Sequence, residues 1–184
     1  MRLHIKQGAA WIKNGGVIAY PTESVYGLGC DPLDQAAIHH LLSIKQRDES
    51  MGLILISDTF RRIEAFLQPM VDSQRALLQK SWPGPVTWVI PAQSWVPKWL
   101  TGGKHTIAVR VTAHPLASAL CQAADMPLVS TSANLHGRRP AKTTLQVHRQ
   151  FDQTLDYIVP GKTGQLDKPT MIRDLVSNTV IRPA

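Results

Sequence analysis

The chain has 184 residues, enough for one domain with its own core, and 43% hydrophobic against 18% charged residues excludes a disordered or fibrous polypeptide. Its net charge of +7 is one-sided: residues 1–92 carry nine basic and eight acidic side chains, residues 93–184 eleven and five. This suits a polyanionic partner (nucleotide phosphates, RNA, or both) as well as a merely soluble basic surface.

In chain order, residues 3–14 read as a helix with Ile5, Ala9 and Ile12 on one side and Gly15-Gly16 as its stop. A short apolar strand over 17–20 leads into a long loop, PTESVYGLGCDP, over 21–32. Asp34 caps a helix running to about Lys45, with Ile38, Leu41 and Leu42 facing the core. Residues 53–56 form a buried strand, followed by helical patterns over 58–67 and 72–81. A strand over 86–90 ends at Pro91, residues 92–105 read as a loop, 106–111 as a strand and 115–124 as a helix. A strand over 127–130 enters Ser-Thr-Ser-Ala-Asn, and a helix near 143–151 precedes strands near 156–159, 170–175 and 178–182. Alternating strands and helices give an α/β domain, and the closely spaced final strands make the sheet mixed. In such sheets ligands bind beyond strand ends, which draws attention to the polar loops 21–32, 43–52 and 130–140.

Several familiar motifs fail on spacing. Gly161-Lys162-Thr163 ends like a phosphate-binding loop, but Asp156 stands where its first glycine is required. Gly27-Leu28-Gly29 is only a fragment of a dinucleotide fingerprint. His39 and His40 are adjacent on a helix, so they diverge by about 100° and cannot easily chelate one ion. Cys30 and Cys121 match neither a disulfide scaffold nor a metal-ligand spacing. The N-terminus lacks a long apolar stretch and no run approaches membrane-spanning length, so a cytoplasmic protein with free thiols and no membrane contact is expected.

Four polar clusters remain. Thr22, in Tyr20-Pro-Thr-Glu-Ser24, presents a hydroxyl where a strand ends, a position equally suited to ordinary turn chemistry. Lys45 and Arg47 place two cations at a helix end, for a ligand or for the helix dipole. Thr106, Ala108 and Arg110 share one side of a strand, and an arginine among apolar neighbours needs a ligand anion or a structural salt bridge. Ser130, Thr131, Ser132 and Asn134 suit phosphate oxygens, a magnesium shell or a helix cap. No nucleophile–base pair is evident. Cations, hydroxyls and an amide without one favour a reaction run by positioning and charge neutralisation, such as attack on a nucleotide phosphate.

PTESVYGLGCDP, the KQR of SIKQR, SWPGPVTWVIP, IAVRVTAHP and PLVSTSANLHG, in this order, resemble the YrdC-like family of threonylcarbamoyl-AMP synthases over nearly the whole chain. The resemblance implies a single YrdC-like domain over 1–184, a twisted open mixed sheet with flanking helices and a concave basic cleft. It implies conversion of L-threonine, bicarbonate and ATP to L-threonylcarbamoyl-AMP and pyrophosphate, for N6-threonylcarbamoylation of adenosine 37 in tRNAs reading ANN codons. The family signature falls on Lys45, Arg47, Ser132 and Asn134 as catalytic and nucleotide-binding residues. Thr22, Arg110 and Thr170 match threonine-binding positions, and Thr106, Ser130, Arg138 and Arg182 match nucleotide-site positions. By this likeness Lys45 and Arg47 neutralise the triphosphate, Ser132 and Asn134 hold phosphate oxygens or the magnesium shell, and Arg110 grips the threonine carboxylate. Mg²⁺ is expected to arrive with ATP, without direct protein ligands. Expected partners beyond the substrates are tRNA or double-stranded RNA and the proteins that transfer the threonylcarbamoyl group onward. Two positions depart from the pattern: Asp48 replaces a common proline, and Ile56-Ser57 stand where some longer members carry a threonine-contacting histidine. The threonine pocket is expected to differ locally there. The alternatives are an RNA-binding or ribosome-maturation module without catalysis, and a carbamoyltransfer domain, whose chains are much longer.

Overall fold

A computed structural model describes residues 1–135 and 137–184, with every side chain among them except that of Asp152. Its strands are β1 (Ile18–Pro21), β2 (Tyr26–Gly29), β3 (Ile54–Ser57), β4 (Val86–Pro91), β5 (Thr106–Val111), β6 (Leu128–Ser132), β7 (Tyr157–Ile158), β8 (Met171–Asp174) and β9 (Val180–Arg182). They form one twisted open sheet in the order β7-β1-β2-β6-β3-β5-β4-β8-β9. The pairs β1/β7, β3/β5 and β4/β8 are parallel and the others antiparallel, so the sheet is mixed as expected. The helices are α1 (Arg2–Lys13), α2 (Gln35–Lys45), α3 (Phe60–Glu64), α4 (Asp72–Ser81), α5 (Lys98–Thr101), α6 (Pro115–Ala124) and α7 (Thr144–Phe151). Asp34 caps α2 as its sequence position suggests, its carboxylate accepting from the Ala37 N–H at 3.0 Å.

Side-chain alternation along the strands explains how the sheet is covered. Leu53 and Leu55 of the β3 segment, Ile107 and Val109 of β5, and Trp88 of β4 belong to the larger core, with Ile38 and Leu41 of α2 and Val147 and Phe151 of α7. On the other face, Ile18, Tyr20, Ile56 and Leu128 pack beneath α1 and α6. Those two helices cover only part of that face. Continuing along it by steps of two, Ile54 of β3, Ser130 and Ser132 of β6, and Thr106, Ala108 and Arg110 of β5 line an open cavity.

Several elements differ from the sequence reading. The stretch 21–32 is a hairpin, with β2 paired to β1 and β6. Its two glycines read as loop punctuation, yet they answer to a close approach of the neighbouring strand. A Cβ on Gly29 would run into the Val129 carbonyl oxygen, and one on Gly27 would stand 3.2 Å from Ser130 Oγ. Gly29→Ala is therefore expected to destabilise the protein by roughly 1–3 kcal/mol through overpacking. A lowered urea midpoint checks this; an unchanged midpoint contradicts it. Strand β6 runs on to Ser132, so the hydroxyls expected at a strand exit lie within the sheet. The loop 92–105 contains the short α5, and the helical pattern 58–67 contracts to α3.

Candidate functional site

The cavity measures about 560 Å³ and opens between the uncovered strand ends, the β1–β2 turn and the segments around 47–54, 100–106 and 169–174. Thr22, Arg47, Thr106, Arg110, Ser130, Ser132, Thr170 and Arg182 all line it, so candidates scattered over the whole chain converge on one space. Lys45, Asn134 and Arg138 are not among the described lining residues.

Arg110 stands in the wall and is only 4% exposed. Of the two possibilities left open by its strand position, the structure shows a salt bridge. Its Nη2 lies 3.2 Å from Glu23 Oε2, a buried ion pair, and its Nη1 donates to Thr87 Oγ1 at 3.2 Å and Thr170 Oγ1 at 2.9 Å. Its Nε is buried without a hydrogen-bond partner among the described residues. Beside it Ile56, its register partner on β3, is fully buried in the core beneath α1 and α6 and is not among the described residues that line the cavity. Thr22 lines the cavity with its hydroxyl bonded to the Val25 carbonyl at 2.8 Å.

Arg47, Lys104 and Arg182 also line the cavity. Arg47 follows Gln46, whose left-handed backbone (φ 49°) ends α2 and redirects the chain. Its Nη2 donates to the Gly52 carbonyl at 2.9 Å. Asp48, the departure from proline, accepts from the Ser50 N–H at 2.7 Å and so caps the turn over Glu49–Met51. Gly102 lets the loop before β5 press against that turn, since a Cβ there would meet the Ser50 carbonyl oxygen. Lys104, at the end of this loop, reaches the cavity. Arg182 donates to the Thr170 carbonyl at 2.8 Å; burial, then the charges of Arg110 and Arg47, push its guanidinium down from the usual range.

Lys45, expected from the family likeness to meet a triphosphate, is held by acceptors of the protein itself. Its ammonium donates to the Ser132 carbonyl at 2.6 Å, the Asn134 carbonyl at 2.6 Å and Asn134 Oδ1 at 2.9 Å. An ammonium has three N–H bonds, and all three are engaged here. Burial, and secondly Arg47, push Lys45 down to about 8. Asn134 also accepts from Ser132 Oγ at 2.7 Å and donates to the carbonyls of Leu135 and Arg138. Lys45 and Asn134 thus shape the backbone beyond β6, while Arg138 is exposed there.

Lys104, Met51, Thr101, Pro169 and Asp174 also line the cavity and carried no motif that would have marked them. Both cysteines are fully buried, and burial raises both thiols, Cys121 to about 12. No group of three or more His, Cys, Asp or Glu side chains among the described residues could hold a metal ion. No helix among them is long and apolar enough to cross a membrane.

Residues 10–184 match the family model Sua5/YciO/YrdC, described as telomere recombination. A threonylcarbamoyl-AMP synthase of Nitrosococcus oceani is 54% identical over 170 residues, covering 92% of each chain. Among solved structures, P. abyssi Sua5 complexed with L-threonine superposes with a TM-score of 0.88 at 31% identity, covering 94% of this chain and 51% of that one. This chain therefore spans about half of the P. abyssi protein. E. coli YciO superposes with a TM-score of 0.87 at 29% identity, covering 99% of this chain and 89% of that one. By sequence and by fold alike, the chain belongs to the Sua5/YciO/YrdC family.

Proposed function

We propose that this protein is a nucleotidyltransferase that makes L-threonylcarbamoyl-AMP and pyrophosphate from L-threonine, bicarbonate and ATP, in the cytoplasm, for modification of tRNA. The observation that carries this is one cavity lined both by the buried Arg110, bonded to Thr170, and by the further cations Arg47, Lys104 and Arg182, with the hydroxyls of Thr22, Ser130 and Ser132 among them. The fixed guanidinium of Arg110 suits an amino-acid carboxylate, and the remaining cations suit a phosphate chain. The relatives named threonylcarbamoyl-AMP synthase and the L-threonine complex of P. abyssi Sua5 support the same assignment.

On this reading the threonine amine combines with bicarbonate to give a carbamate and water. A carbamate oxygen attacks the α-phosphorus of ATP, forming the carbamoyl–phosphate bond as the bond to pyrophosphate breaks. Arg110 holds the carboxylate with Thr22 and Thr170 beside it. Arg47, Lys104 and Arg182 neutralise the phosphates, and preorganised cations of this kind stabilise charge that develops at the transition state. Thr106, Ser130 and Ser132 supply hydroxyls to the nucleotide. Lys45 holds the Ser132–Asn134 backbone in the shape that presents them. Mg²⁺ enters with ATP as part of the substrate. A module that only binds RNA would have no use for a buried arginine and inward-facing hydroxyls. Pyrophosphate release that requires both threonine and bicarbonate supports the proposal; release indifferent to either refutes it.

Substrate choice gives a further expectation. Serine lacks only threonine's methyl group, a difference worth about 1–3 kcal/mol in a fitted pocket, or roughly 10–200-fold in kcat/KM. Serine should be a poor but detectable substrate. Equal turnover of the two amino acids would contradict a fitted pocket that includes Thr22.

A further inference from the structure

Glu23 lies in the β1–β2 turn, 7% exposed, and is not among the described residues that line the cavity. It is nevertheless joined to the cavity on two sides. Its Oε1 accepts from Thr112 Oγ1 at 2.6 Å, and its Oε2 faces Arg110 Nη2 at 3.2 Å in an ion pair outside hydrogen-bond geometry. Its backbone carbonyl accepts from the Leu166 N–H at 3.2 Å, beside a bond of 2.9 Å from the Gly164 N–H to the Thr22 carbonyl.

Leu166 and Gly164 belong to the strap over 159–170, which leaves β7 at one edge of the sheet and returns as β8 next to the other edge. At its far end Thr170 Oγ1 accepts from Arg110 Nη1. Glu23, Arg110, Thr170 and the strap therefore close a ring. A guanidinium has five N–H donors in a rigid fork. With Nη1 on Thr87 and Thr170 and Nη2 facing Glu23, the fork cannot turn without breaking a buried contact, so the direction it offers to a carboxylate is fixed.

We infer that Glu23 is a positioning residue for the amino-acid end of the cavity: acting through Arg110, it sets the orientation in which the guanidinium receives the α-carboxylate, and it couples that orientation to the strap over 159–170. This rests on threonine occupying the Arg110 end, as proposed above. Glu23 touches no substrate itself.

Two variants of the full chain perturb Glu23 in independent ways. Glu23→Gln keeps the side-chain volume and an acceptor for Thr112 but removes the charge facing Arg110. Gly164→Ala leaves Glu23 chemically intact, but the added Cβ would collide with the Glu23 carbonyl oxygen. In pyrophosphate-release assays, the KM for threonine is expected to rise about tenfold or more in each, with the KM for ATP within about twofold of the parent. A threonine KM unchanged in a folded variant overturns the inference. So does a parallel rise in both KM values with a falling Tm, because general loosening of the fold would not separate the two substrates. If Glu23→Gln does not fold, Gly164→Ala alone decides. Parent protein without threonine-dependent turnover would instead refute the proposed function, and the inference with it.

Discussion

Arg110→Ala is expected to abolish measurable threonine binding and to cost about 3–5 kcal/mol of stability, because it leaves the Glu23 carboxylate buried without its partner. In a domain of this size that corresponds to a fall in Tm of roughly 10 °C. The two losses have different causes, and a second variant separates them. Replacing both partners, as Glu23→Leu with Arg110→Met, removes the uncompensated charge, so most of the stability should return. Threonine affinity should not return, because the carboxylate then has no guanidinium to meet. Calorimetric titration with threonine and thermal melts on the three proteins check both statements. A double variant that binds threonine as the parent does would show that Arg110 serves only the fold.

Lys45→Met is expected to lower turnover by about 10²-fold or more, comparable to losing an oxyanion-hole donor, although its ammonium is engaged by acceptors of the protein itself. Its removal leaves the Ser132 and Asn134 carbonyls and Asn134 Oδ1 without their shared donor, and the backbone beyond β6 should relax. Groups that act as one unit are not additive. Combining Lys45→Met with Asn134→Ala should therefore cost little more than Lys45→Met alone. Multiplying losses in kcat/KM for ATP would mean that the two residues act separately and that Lys45 meets the nucleotide itself.

These two residues also show how far the sequence could be read. Arg110 was legible because strand alternation is local: Thr106, Ala108 and Arg110 had to share a face, and an arginine among Ile107, Val109 and Val111 had to find an anion. Its partner was not legible. Glu23 lies 87 positions earlier in a stretch that looks like turn chemistry, and only the sheet order brings the two together. Lys45 carried the right chemistry for a phosphate, but two of its acceptors are backbone carbonyls, which leave no trace in residue identity. The hairpin strand β2 was hidden for a related reason. Its glycines satisfy the close approach of β6, yet in sequence they resemble a loop. Helix α2 was plain, since an aspartate cap and an apolar periodicity are both local signals. Lys104 and Asp174 reach the cavity from a loop and an outer strand, with no motif around them.

On the proposed function, one cavity joins a threonine-derived carbamate to the α-phosphate of ATP. Incubating the protein with ATP, threonine and ¹³C-labelled bicarbonate and weighing the products by mass spectrometry tests it most directly. The expected result is threonylcarbamoyl-AMP carrying the labelled carbon, with pyrophosphate in equal amount. Formation of ADP, or of an adenylate without the labelled carbon, would contradict it.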